Sequence, residues 1–203
     1  MTDRAKELEM AAKDIDLVSL QAAKSAVAAS CAEYIRWAEL FSCRLESIDS
    51  GELHKFARAF SLTLLGHLPT RPGTCPFCIQ YDRDRACTGC GYAATHGRCD
   101  ADDSAFSLFI EAFQELGRSV YQDTGELCCS HHDARLHLNL SIKVSRDLAM
   151  RLQEDLPFAG ALQLMELKAA YLDAMIRFLP GLLLSEEVRE RCLLVRRMLL
   201  NYW

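Results

Sequence analysis

The chain has 203 residues, half of them apolar and a quarter charged, which is a globular composition and excludes intrinsic disorder. Its formal net charge of −5 argues against a nucleic-acid-binding protein, because neutralising phosphates requires clustered Lys and Arg. The N-terminus has no apolar signal region and no apolar run reaches the roughly 18 residues that span a bilayer, so we expect a cytoplasmic protein.

The first predicted element is a long helix over 17–48, where apolar residues recur at steps of three and four. Ser50 is predicted to cap a second helix, whose apolar residues lie within 53–64. Pro69 and Pro72 then stop helical structure, because proline lacks the backbone donor that a helix interior needs.

Residues 69–103 have no hydrophobic periodicity, and a loop of this length in a compact domain needs something to order it. Five of the ten cysteines lie here, mostly in C-x-x-C pairs. Such clustering, without a secretion signal, indicates metal ligands and not a disulfide framework. We therefore predict a single helical domain over 1–203, with an inserted zinc-knuckle-like segment at 69–103.

The candidate ligands are two C-x-x-C pairs, one histidine and a fifth cysteine: Cys75, Cys78, Cys87, Cys90, His96 and Cys99. The second pair stands in a C-x-x-C-G-Y stretch that resembles half of a zinc ribbon. The first pair resembles it less, because Ile79 stands where a glycine is common. Gly89 and Gly91 are expected to supply positive φ angles, and Phe77 and Tyr92 to pack the segment onto the helices.

The simplest assignment places one structural zinc on Cys75, Cys78, Cys87 and Cys90. The spacer between the pairs is short, so His96 or Cys99 could replace one of these ligands. The surplus of thiols leaves a [4Fe–4S] cluster as the alternative cofactor.

A third helix is predicted over 106–120 by apolar residues at helical spacing. Beyond it, apolar and polar residues alternate over 136–145, which predicts a small β-hairpin at 126–144, followed by a helix over 146–155. The same stretch also carries an apolar i, i+4 stripe, so one helix from about 130 to 155 is the alternative.

Two further helices, over 164–178 and 188–202, complete a mainly α protein, and their heptad-like seams and short connections predict a helical bundle. Such seams also serve dimerisation, so we expect a homodimer. Three other cysteines fall on apolar stripes and are predicted to be core residues: Cys31, Cys43 and Cys192.

A second polar cluster contains Cys128, Cys129, His131, His132, Asp133 and His137. These side chains could share a zinc, iron or copper ion. We favour a polar turn of surface histidines beside two partly buried cysteines, because no spacing here is a recognised ligand signature.

No catalytic motif was found, and no catalytic residue is predicted. The sequence favours a non-enzymatic, zinc-stabilised helical protein that acts through protein–protein interaction, as an adaptor, regulator or assembly factor. The alternative is an iron–sulfur or other redox or metal-handling protein, which would use the Cys75–Cys99 and Cys128–His137 clusters.

Overall fold

A computed structural model describes residues 3–81, 87–127 and 129–202. In these ranges the chain forms nine α-helices with short 3-10 turns between them, and no strand, so the predicted mainly helical bundle is confirmed. The helices are α1 (Asp3–Lys13), α2 (Leu17–Ser47), α3 (Leu53–Gly66), α4 (Pro76–Tyr81), α5 (Gly91–His96), α6 (Ala105–Gln122), α7 (His131–Asp155), α8 (Ala161–Arg177) and α9 (Glu186–Tyr202).

The centre of the bundle is the antiparallel pair of α2 and α7. Tyr34 Oη donates to Ser145 Oγ at 2.6 Å, and Gln153 Nε2 donates to the carbonyl of Ala28 at 3.0 Å. The buried face of α2 follows most of the stripe that the periodicity predicted, with Val27, Cys31, Tyr34, Ala38 and Leu45 buried, whereas Leu17 is 81% exposed. Around this pair, α8 packs on α7, α4 packs on α2, and α6 pairs with α9.

The β-hairpin predicted at 126–144 is wrong, because residues 131–155 form one helix, as the alternative stated. Ser130 caps this helix by accepting a hydrogen bond from the backbone N–H of Asp133 at 3.1 Å. The alternation was misleading because Leu136 and Leu140 are exposed. The face turned to α2 instead combines large residues with small ones that let the helices approach closely: Ala134, Leu138, Ser141, Ile142, Ser145, Ala149 and Leu152.

Two smaller predictions are also wrong. Ser50 does not cap α3, because residues 50–52 form a 3-10 turn and the helix begins at Leu53 without a side-chain cap. Cys43 is exposed, whereas Cys31 is fully buried and Cys192 is partly buried. Cys43 lies two residues before the buried Leu45, which on a helix turns it about 200° away from that face.

Among the described residues, no helix combines the length and the apolar character that crossing a bilayer requires.

Gly91 allows α1 to lie directly against the start of α5. A Cβ at this position would stand 1.9 Å from Ala11 Cβ and 3.3 Å from Ala11 Cα. The predicted positive φ is found at Gly89 (80°), whereas positive φ values in the described chain do not include Gly91. The physical requirement at Gly91 is therefore close helix approach and not a left-handed backbone.

Gly91→Ala should destabilise the protein by about 1–3 kcal/mol, because the added methyl group must push α1 away from α5. The matched control is Gly117→Ala within α6, where a Cβ meets nothing within 4 Å. That change should stabilise the protein by about 0.5–1 kcal/mol by reducing backbone entropy in the unfolded chain. Urea unfolding of both variants measures the difference, and equal unfolding free energies would contradict the assigned role of Gly91.

Candidate metal centre

The first C-x-x-C pair lies at the beginning of α4. Cys75 immediately precedes the helix, and Pro76 occupies its first position, where a missing N–H costs nothing. The backbone N–H of Ile79 donates to the carbonyl of Cys75 at 3.1 Å, and the N–H of Cys78 donates to the Cys75 sulfur. The pair is therefore held by a helical turn that presents both thiols on its N-terminal side.

The second pair forms a tight turn that leads into α5. Cys87 and Gly89 adopt positive φ angles of 52° and 80°, and the N–H of Cys90 donates to the carbonyl of Cys87 at 3.0 Å. Cys90 is the N-cap of α5, where its sulfur accepts from the N–H of Ala93 at 3.5 Å. Donation of backbone N–H groups to cysteine sulfur, expected from the C-x-x-C spacing, is thus present in both pairs.

At least four of the five cysteines lie close together. The thiols of Cys75 and Cys78 hydrogen-bond to each other, and Cys78 also hydrogen-bonds to Cys99. Cys90 is near enough to act electrostatically on both Cys75 and Cys78. The fold therefore brings Cys75, Cys78, Cys90 and Cys99 near one another. The spacing of the cysteines in the sequence did not show which of them would meet.

The surroundings of Cys75, Cys78 and Cys90 raise the pKa of each of these three thiols, which favours the protonated form. The hydrogen bond with Cys78, followed by burial, raises the pKa of Cys75 well above its usual value. The hydrogen bond with Cys75 lowers the pKa of Cys78, but the hydrogen bond with Cys99 and burial outweigh it and raise that pKa to about 12. Burial also raises the pKa of Cys90. Protonated thiols can approach each other through S–H···S contacts, whereas thiolates repel.

In the part of the chain that the structure describes, no three His, Cys, Asp or Glu side chains are arranged to hold a metal ion together. The described sulfurs instead form a line of contacts from Cys75 through Cys78 to Cys99. Metal binding at the predicted residues therefore remains a prediction, which the closeness of the thiols supports.

A buried lysine, which the sequence reasoning missed, lies beside the first pair. Lys168 is only 2% exposed, and its ammonium group donates to the carbonyl and the hydroxyl of Thr74 at 2.7 and 3.0 Å. Its charge acts on Cys75 and Cys78, and burial lowers the pKa of Lys168. The sequence did contain a signal for the burial of Lys168: it stands four residues after Leu164, so both side chains lie on the buried face of α8.

The charge of Lys168 fits a set of thiolate ligands. Among the described residues no carboxylate forms an ion pair with it. A buried cation without a counter-charge is costly, so such groups are normally paired. Thiolates at Cys75 and Cys78 would supply that counter-charge, because both sulfurs lie within electrostatic reach of the ammonium group.

The other predicted residues of the segment have definite surroundings. The imidazole of His96 stacks on the Tyr92 ring, with centroids 4.4 Å apart, and its Nδ1 lies 2.7 Å from the Thr95 hydroxyl. Phe77 and Tyr92 are buried, as predicted, and their rings lie 6.3 Å apart. Together they attach α4 and α5 to the bundle.

The second predicted cluster lies around the start of α7. Cys128 is outside the described residues, and Cys129 is partly buried. The remaining side chains of the cluster are exposed, as surface residues would be: His131, His132, Asp133 and His137. The carboxylate of Asp133 accepts from the Ser130 hydroxyl at 2.6 Å, so it takes part in capping the helix.

Comparison of the chain with protein-family models, with curated proteins and with solved structures yielded no significant match.

Proposed function

We propose that this protein is a non-enzymatic adaptor, regulator or assembly factor, a zinc-stabilised helical bundle that works by binding another protein. The observation that carries the proposal is the convergence of Cys75, Cys78, Cys90 and Cys99 beside the buried ammonium group of Lys168. The bundle supplies the scaffold, and the metal holds the Cys-rich segment in place.

Zinc is the metal that this donor set suits best. Zn²⁺ takes four soft thiolates in a closed tetrahedral site, which has a structural role and leaves no open position for substrate. Four thiolates around one Zn²⁺ leave a net double negative charge, which Lys168 reduces. The proximities support Cys75, Cys78, Cys90 and Cys99 as ligands, with Cys87 and His96 as the alternatives.

A zinc ion at this place would join parts of the chain that are far apart in sequence. Cys75 immediately precedes α4 and Cys78 lies within it, and α4 packs on α2, while Cys90 caps α5, which packs on α1. The ion would thus connect α1 and α5 to the α2 side of the bundle. Because a ligand set of this kind forms only in the folded chain, zinc binding would contribute directly to folding stability.

The surface that we assign to partner binding is the apolar groove, defined by Trp37, Leu40, Phe41, Ile48 and Phe56. It encloses about 500 Å³, and Trp37 and Leu40 remain 40% and 56% exposed. Exposed apolar patches of this kind mark interaction sites.

Arg44 lies in the same groove, is exposed, and has no ion pair in the described part of the chain. An acidic amphipathic segment of another protein would match both the apolar lining and this charge. The predicted homodimer rested on the heptad-like seams of the helices, and most of the α2 seam is buried inside the chain, so that seam gives the homodimer no support. Homodimerisation remains a prediction.

Cys78→Ser should abolish metal binding and cooperative thermal unfolding, because Cys78 contacts two of the other proposed ligands. Cys43→Ser is the matched control, since Cys43 is exposed and away from the cluster, and it should keep the metal. Metal analysis and absorption spectra of protein purified without oxygen should show about one zinc per chain and no visible colour. A brown protein with about four irons per chain would show that the cofactor is a [4Fe–4S] cluster and not zinc. A metal-free wild-type protein would refute the proposed metal centre.

Lys168→Met should weaken zinc binding by about 10- to 100-fold, because outer groups that compensate ligand charge have effects of this size. The methionine keeps the buried aliphatic volume while removing the charge and the two hydrogen bonds to Thr74. Lys143→Met, on the exposed face of α7, is the control and should leave the affinity unchanged. Chelator competition measures the affinities, and equal values for both variants would show that Lys168 does not act on the metal.

Leu40→Glu should prevent partner binding without affecting the fold, because Leu40 lies exposed in the apolar groove. Met150→Glu, at a residue 43% exposed on α7, places the same charge elsewhere. Crosslinking in cells should yield a stoichiometric partner with wild type and Met150→Glu, but not with Leu40→Glu. Recovery of the same partner with all three proteins would exclude the groove, and a dimer of this chain that Leu40→Glu dissociates would make a second copy the occupant.

A further inference from the structure

A polar cavity of about 550 Å³ lies at the end of the bundle where α3 and α7 begin and α6 ends. It is separate from the Cys75–Cys99 cluster and from the apolar groove. Its lining includes His54, Lys55, Arg58, Gly125, Glu126 and His131. We call it the basic cavity, because Arg58 and Lys55 line it.

Positive groups outnumber negative ones in the lining. Arg58 and Lys55 are positively charged, and Glu126 is the one acidic residue in the described lining. This balance differs from that of the whole chain, whose net charge is −5. A local excess of positive charge in an acidic protein indicates that these side chains have a specific role.

Arg58 is the most informative of these residues. Its Nε donates to the carbonyl of Val120 at 3.2 Å, and its Nη2 donates to the carbonyl of Tyr121. These bonds hold the guanidinium group in a fixed orientation at the end of α6, while no carboxylate within the described ranges forms an ion pair with it. A partly buried guanidinium group that has a fixed orientation and no carboxylate partner can bind an anion.

The wall beside Arg58 is also held rigidly. The carboxylate of Asp123 accepts from the backbone N–H groups of Gly125 and Ser185 at 3.1 and 3.2 Å, and it lies 3.2 Å from His54 Nε2. The Asp123 carboxylate is thereby occupied by hydrogen bonds within the protein, and its contact with His54 fixes that ring at the cavity wall. Lys55 is more mobile, since its one ion pair is an exposed contact with Glu52 at 3.0 Å.

We propose that the basic cavity binds the phosphate group of a small phosphorylated molecule. A guanidinium group offers parallel N–H donors that match phosphate oxygens, and a nearby ammonium group adds a second charge suited to a dianion. The volume exceeds what a phosphate alone needs and lies within the usual range for small-molecule sites. The inference does not depend on zinc or on the protein-binding role of the groove.

The test uses the full-length protein with inorganic phosphate and glycerol 3-phosphate, followed by amide NMR shifts at constant ionic strength. Wild type should bind both saturably, with Kd values on the order of 1 mM or below. Arg58→Gln should weaken binding at least about tenfold, and Lys55→Gln about threefold to tenfold. Arg151→Gln is the control, because Arg151 is exposed on α7 about 30 Å along the helix from His131 and should bind like wild type.

Lys55→Gln keeps the test decisive if Arg58→Gln fails to fold, since Lys55 makes no contact that the fold depends on. Equal binding by Lys55→Gln, Arg151→Gln and wild type would overturn the proposal, as would shifts that do not saturate with phosphate. Binding to phosphatidic acid vesicles without binding to either free phosphate would also overturn it, because the ligand would then be a lipid surface.

Discussion

The antiparallel packing of α2 on α7 is the constraint on which the other positions depend. Small residues on both helices, among them Ala38 and Ala149, allow the two backbones to approach closely. The hydrogen bond from Tyr34 to Ser145 is fully buried, so a shift in register would leave the buried Tyr34 hydroxyl without this partner. With the register set, α8 packs on α7 and α4 packs on α2, which brings Lys168 to Thr74.

The contact between Lys168 and Thr74 connects the bundle to the Cys-rich segment. Among the described residues Thr74 alone accepts hydrogen bonds from this buried ammonium group, which is an unfavourable feature for a structural core. It becomes favourable if the neighbouring thiols bind metal as thiolates, because cation and anions then stabilise each other. The same geometry thus accounts for both the burial of the lysine and the convergence of the cysteines.

The Cys-rich segment and the basic cavity lie towards opposite ends of α2. Gln80, in α4, exchanges hydrogen bonds with the backbone of Asp14 and Asp16 at the start of α2, whereas the cavity lies beyond its C-terminal end. A helix of 31 residues is about 46 Å long, so the two regions are independent in structure. The apolar groove lies on the C-terminal half of α2 and the first turn of α3.

The sequence by itself determined the helices whose buried faces consist of large apolar residues at steps of three and four, such as α2 and α6, because that period is a property of the helix alone. It also identified the Cys-rich segment, since C-x-x-C spacing is local. It misjudged 131–144, where the buried face combines small and large residues and only the presence of α2 shows which side is inside. Only the tertiary structure decided that Cys99 lies against Cys78, that Lys168 lies beside them, and that Arg58 faces a cavity without a counter-charge, because each depends on contacts between helices distant in sequence.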